Sequence, residues 1–104
     1  METFEFSHSS DSKQLTIRIN QPKFDASQVA SFKEALNQNW SGNITEVTVD
    51  MNPVDFIDSS GIGALLSLQK RLGDTVEPIA LLNTRPNVAS VIELLRLHRV
   101  FSMR

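Results

Sequence analysis

The chain has 104 residues, with hydrophobic residues at 40%, charged residues at 21% and a formal net charge of −2. That length suits one domain and is too short for two, and the slightly acidic balance argues against a surface that neutralises many nucleic-acid phosphates. There is no cysteine, which excludes disulfides, thiolate metal sites and thiol catalysis together and fits a reducing compartment.

The start, Met-Glu-Thr-Phe-Glu-Phe-Ser-His, lacks the basic segment and apolar stretch of a signal peptide. No apolar run approaches the roughly 18 residues of a membrane span. A cytoplasmic protein with neither a nucleic-acid nor a membrane partner is expected. Charge is uneven along the chain: residues 85–104 hold four arginines against Glu93 alone, whereas residues 1–52 hold seven acids against four basic residues. A mild positive end of this kind ordinarily reads as a solvated face.

Residues 3–7 and 14–20 are predicted strands. Leu15, Ile17 and Ile19 alternate with Thr16, Arg18 and Asn20, the period of a half-buried strand. The turn-forming residues Ser9 to Lys13 between them predict a hairpin. Pro22 ends the second strand because it has no amide to donate. From Asp25 the period becomes helical, with Val29, Phe32, Leu36 and Trp40 on one face. Asp25 or Ser27 supplies the cap, and Ser41-Gly42-Asn43 stops the helix. Residues 44–50 read as a β-branched strand ended by Asn52-Pro53.

The apolar run 54–57 then leads into Asp58-Ser59-Ser60-Gly61-Ile62-Gly63. Beyond it Ile62, Leu65, Leu66, Gln69 and Leu72 follow helical spacing, and Gly73 is a natural stop. Residues 79–82, Ile-Ala-Leu-Leu, predict a central strand. Pro86 suits a first helical turn. Val88, Val91, Ile92 and Leu95, with Leu94 beside them, make the last helix amphipathic, and Val100, Phe101 and Met103 predict a final short strand. The order is β-β-α-β-α-β-α-(β). Strands joined through helices favour parallel pairing and right-handed crossovers. The expected fold is therefore one α/β domain over residues 1–104, with a mixed, mostly parallel sheet, an N-terminal hairpin and no linker or internal repeat.

The junction at 58–63 carries the chemistry. A serine hydrolase needs a base within hydrogen-bond reach and oxyanion donors. Only His8 and His98 are available, and the Gly-x-Ser-x-Gly elbow is absent. Gly61-Ile62-Gly63 lies at a helix start, where amides attract anions, but completes neither the dinucleotide nor the Walker pattern. A lone Gly-x-Gly of this kind ordinarily marks close packing of helix on sheet. Asp25, Asp50, Asp55 and Asp58 show no recognised metal-loop spacing. One of Asp58, Ser59 and Ser60 can simply cap the helix. A cap alone does not account for the doubled serine and the two small residues after it, which leave the helix start open to an approaching protein.

Val-Asp-Phe-Ile-Asp-Ser-Ser-Gly-Ile-Gly, residues 54–63, resembles the signature of STAS domains, in particular bacterial anti-sigma factor antagonists. The similarity runs along nearly the whole chain, through Phe24-Asp25-Ala26, residues 44–50 and 79–83, and the closing segments 91–95 and 100–101. The resemblance implies a domain that catalyses nothing and holds no cofactor or metal. It implies a phosphorylation switch whose acceptor is the serine directly after the aspartate, Ser59, with Ser60 as second choice.

By the same resemblance, the unmodified protein binds and sequesters an anti-sigma factor that is also a serine kinase of the histidine-kinase-like ATPase fold. That kinase brings the ATP, phosphorylation ends the binding, and a PP2C-type phosphatase restores it. Asp25, Asp58, Ser59, Ser60, Gly61, Ile62 and Gly63 are the expected partner-binding residues. The alternative is a STAS subunit that serves a transporter or lipid-trafficking complex without phosphorylation. One departure stands out: Arg96 occupies a place where relatives commonly have glycine at the end of the last helix, so that corner is expected to be built differently.

Overall fold

Period-two alternation at the start of the chain becomes the expected hairpin: β1 (Phe4–His8) pairs antiparallel with β2 (Gln14–Ile19). Its turn is held by Ser9 Oγ donating to Asp11 Oδ1 at 2.6 Å and by Ser12 N donating to Ser9 O at 3.0 Å. The computed structural model describes residues 2–73 and 77–104. Three further strands, β4 (Glu46–Asp50), β6 (Ala80–Leu82) and β7 (Ser102–Met103), add in parallel to give the sheet order β1-β2-β4-β6-β7. The mixed, mostly parallel sheet with an N-terminal hairpin is thus as the periodicity predicts.

Successive parallel strands always step in the same direction across this sheet, so right-handed crossovers put every helix on one face. The alternation agrees: Leu15, Ile17, Val47 and Val49 are buried, whereas Thr16 is exposed and Arg18, Thr48 and Asp50 are half-buried. The helices are α1 (Ala26–Asn39), α2 (Ser59–Leu72) and α3 (Pro86–Leu94). Phe32 and Leu36 bury the inner face of α1, and Ile62, Leu65, Leu68 and Leu72 that of α2. Gln69 faces inward for a polar reason: its Oε1 accepts the Ile79 amide at 2.7 Å, where the next strand begins.

Two features were not legible in the pattern. The first is a second, two-stranded parallel sheet in which β3 (Lys23–Phe24) pairs with β5 (Phe56–Ile57). Pro22 does end β2, yet its carbonyl accepts the amides of Asp55 and Phe56 at 2.7 and 3.0 Å and so starts this second ladder. Phe24 is then clamped in an edge-to-face trio with Phe4 and Phe32, at centroid distances of 6.3 and 5.1 Å. Geometries of this kind add to simple burial. The hairpin, β3 and α1 are locked together at one point.

The second is the end of α3. Leu94 and Leu95, expected on its buried face, stand 83% and 52% exposed. The helix stops at Leu94, and Arg96 adopts the left-handed conformation, φ 60 and ψ 24, before a 3-10 turn at Leu97–Arg99. That reversal brings Leu97 and Val100 against the core in place of the two leucines, and Phe101 is buried beyond them. The corner therefore keeps the backbone that glycine would take, despite the arginine.

An L-residue in that region costs about 1–2 kcal/mol, partly offset by the lower unfolded-state entropy of a non-glycine residue. Arg96→Gly is expected to stabilise the fold by about 0.5–1 kcal/mol, read as a rise of a few degrees in Tm. A Tm that fell instead would show the arginine side chain to be worth more than the strain.

Candidate functional site

The pairing of β3 with β5 sets Phe24 beside Ile57 in register, so the residues that follow, Asp25 and Asp58, are neighbours at the N-termini of α1 and α2. Each is an N-cap with extended backbone, which is why the chain switches from strand to helix at both places. Asp25 Oδ1 accepts from the Ser27 amide at 3.1 Å and from Ser27 Oγ at 2.6 Å. Asp58 does more. Its Oδ1 accepts the Gly61 amide of its own helix at 2.9 Å, while its Oδ2 accepts the Ala26 amide of α1 at 3.2 Å. One carboxylate caps one helix and reaches the first amide of the next.

The amide of Gly61 above all, with those of Ala26 and Ser60, outweighs the partial loss of water and holds the Asp58 carboxyl below its ordinary pKa. Asp58 is therefore ionised across the neutral range. The two serines occupy the first two positions of α2, Ser59 exposed and Ser60 half-buried. Because Asp58 takes the capping role, neither hydroxyl is needed for it. Among the described residues, no protein group forms a hydrogen bond with the Ser59 hydroxyl.

Gly61 is buried, and a Cβ there would lie 2.1 Å from the Phe24 carbonyl oxygen and 2.8 Å from Ile57 Cγ1. It is small because α2 is pressed onto the β3–β5 ladder. Ile62 is a core residue, 5% exposed. These two of the seven expected contact residues shape the surface from beneath and offer it no side chain. Gly63, by contrast, has nothing within 4 Å of the position a Cβ would take. Asp25, Asp58 and Ser60 are half-buried and Ser59 is exposed at the two helix starts.

Phe56 is the residue that periodicity missed. It is 50% exposed, two positions before Asp58, and alternation along β5 turns it away from the buried Ile57. The run at 54–57 gives no indication of which of its residues faces solvent; the register of β5 decides it. An exposed aromatic beside a charged cluster is the composition of a docking anchor.

The remaining candidates are accounted for elsewhere. His8 Nε2 lies 2.8 Å from the Asn39 carbonyl at the far end of α1, about 20 Å of helix away from the serines. His98 lies in the 3-10 turn ahead of β7, also at the end of the sheet away from the serines. Asp50 is paired with Arg18 at 2.6 Å and also accepts from the Asn52 amide and Asn83. Asp55 accepts from Asn87 at 3.1 Å.

Two outcomes follow from this packing. Gly61→Ala drives a methyl into the Phe24 carbonyl and is expected to cost about 3 kcal/mol or more, whereas Gly63→Ala, in open space inside a helix, should gain about 1 kcal/mol; equilibrium urea unfolding of both variants measures the contrast. Asp58 has a depressed folded-state pKa, so its contribution is present at neutral pH and lost as pH falls through that value. Asp58→Asn retains one acceptor and loses the other. Its Tm should lie below that of the parent at neutral pH, with the gap narrowing in acid.

The STAS domain family matches residues 7–104. A STAS-domain-containing protein of Pseudomonas aeruginosa is 28% identical over 95 residues, covering 91% of this chain and 92% of that protein. Among solved structures, an anti-sigma-factor antagonist (STAS) domain protein from Planctomyces limnophilus superposes with a TM-score of 0.85 at 19% identity, over 100% of this chain and 90% of that one. The unphosphorylated anti-sigma factor antagonist SpoIIAA superposes with a TM-score of 0.78 at 22% identity, over 97% and 87% of the two chains. With capped twin helices, a buried Gly61 and a family match along almost its whole length, the chain belongs to the STAS domain family.

Proposed function

We propose that this chain, as one STAS domain over residues 1–104, is a phosphorylation-switched binding protein of a bacterial partner-switching pathway. It works in the cytoplasm and catalyses nothing itself. Its unphosphorylated form binds and sequesters an anti-sigma factor that is also a serine kinase. Phosphorylation at Ser59, with ATP carried by the kinase, releases that partner, and a PP2C-type phosphatase resets the switch.

The observation that carries the reading is the exposed Ser59 hydroxyl at the first position of α2, with the ionised Asp58 before it and Asp25 alongside. Phosphate adds about −1.5 to −2 charge at neutral pH, and a helix N-terminus tolerates it. The framework beneath is already anchored by Gly61 and the β3–β5 ladder, so the switch is a change of charge on a fixed surface. A like-charge contact forced into an interface costs several kcal/mol, enough to shift occupancy by orders of magnitude. Phe56 gives the unmodified form an apolar anchor beside the charge that changes.

The test uses a candidate serine kinase of the histidine-kinase-like ATPase fold from the same organism, with Mg-ATP and mass-spectrometric mapping of the phosphosite. Wild-type protein should take up phosphate at Ser59, and Ser59→Ala should take up none. By calorimetry, Ser59→Asp and Phe56→Ala should each bind the kinase at least about tenfold more weakly. Full phosphate uptake by Ser59→Ala, together with wild-type affinity of Ser59→Asp, would overturn the assignment to Ser59, whereas no uptake by the wild-type protein, with unchanged partner binding by Ser59→Asp, would leave the constitutive-subunit reading in its place.

A further inference from the structure

The exposed end of α3 is unlike the rest of the helical surface. Val91, Leu94 and Leu95 are spaced to share one face, with Val91 half-buried and the two leucines in solvent. Arg96 and Arg99 follow directly, both exposed. Among the described residues the one ion pair is Arg18–Asp50, and the guanidinium groups of Arg96 and Arg99 make no hydrogen bond to protein. Glu93 is the single acid of residues 85–104. The patch thus offers two large apolar side chains followed in sequence by two exposed cations that have no hydrogen-bonded or ion-paired partner among the described residues.

Its position separates it from Ser59. Asn87, in the first turn of α3, donates to Asp55 beside the β3–β5 ladder, so the helix starts near the serine end. Nine residues of α-helix carry the chain about 13 Å away before the leucines are reached.

We propose that this patch is a second docking surface, for an acidic amphipathic helix of a partner protein, and that it works independently of the state of Ser59. Leucines from such a helix pack on Leu94 and Leu95 while its carboxylates meet Arg96 and Arg99. A lipid surface fits less well. Binding of a helix to a lipid interface scales with the apolar area it buries there, whereas α3 commits Val88 and Ile92 to the core and leaves its large exposed apolar side chains only at its end.

The full chain, labelled with nitrogen-15, is titrated with a short helical peptide carrying leucines at helical spacing flanked by glutamates. A second peptide with lysines in place of the glutamates and vesicles of anionic lipid serve as competing probes. Saturable amide shifts confined to residues 91–100 are expected with the acidic peptide alone, weakening as salt is added. Leu94→Ser and Arg99→Glu, both at exposed positions, should each lower affinity at least about tenfold, and Ser59→Asp should leave it unchanged. No saturable shift at these residues, equal binding of the lysine peptide, binding to vesicles in place of the peptide, or loss of binding in Ser59→Asp would each overturn the proposal. The Ser59→Asp arm keeps this result separate from the fate of the phosphorylation switch.

Discussion

A single carboxylate organises this molecule's functional end. Asp58 accepts the Gly61 amide in its own helix and the Ala26 amide in the neighbouring one, so the starts of α1 and α2 cannot drift apart without breaking a charge-assisted bond. The far ends are tied as well, with Arg71 donating to Asn37 at 2.6 Å and lying 5.0 Å from the Trp40 ring centroid. Two parallel helices pinned at both ends form a rigid platform. The carboxylate can reach both amides only because Gly61 lets α2 settle against the Phe24 carbonyl, and that carbonyl is placed by the trio of Phe4, Phe24 and Phe32.

This arrangement divides the structural work unevenly among adjacent residues. Asp58 holds the helices, Gly61 sets their depth and Ile62 fills the core, and Ser59 is left without a structural task. A residue in that position can change its charge while its neighbours stay where they are. The same logic explains why Phe56 is tolerated in solvent: the register that buries Ile57 obliges its neighbour to face outward. An apolar cost on the surface becomes useful only if a partner covers it.

No repeat is visible in the amino-acid order, yet the geometry repeats. Gln14 lies beside Glu46, and Thr48 beside Ala80, while the amide of Ala26 meets Asp58 with a separation of 32 residues. The first two turns of strand, crossover and helix use the same length of chain, which stacks their helix caps side by side. The third turn departs from the pattern. Its cap position is Arg85, without a side-chain cap bond and followed by Pro86. The acidic pair therefore belongs to the first two turns alone, and the basic residues gather on the last.

What local chemistry determines was already in the order of residues. Alternation in β2 and β4, helical spacing in α1 and α2, breaks at Pro22 and Asn52-Pro53, and aspartates ready to cap two helices all depend on neighbours within a few positions. Which face of β5 meets the core, why Gly61 admits no Cβ and which amide shares the Asp58 carboxylate depend on segments some thirty residues away. Local periodicity carries no record of such pairings. The end of α3 shows the limit most plainly: the spacing of Leu94 and Leu95 is that of a buried face, but the left-handed turn at Arg96 hands their place in the core to Leu97 and Val100. Burial was decided by where the chain reverses, a property of the whole packing and not of the two leucines.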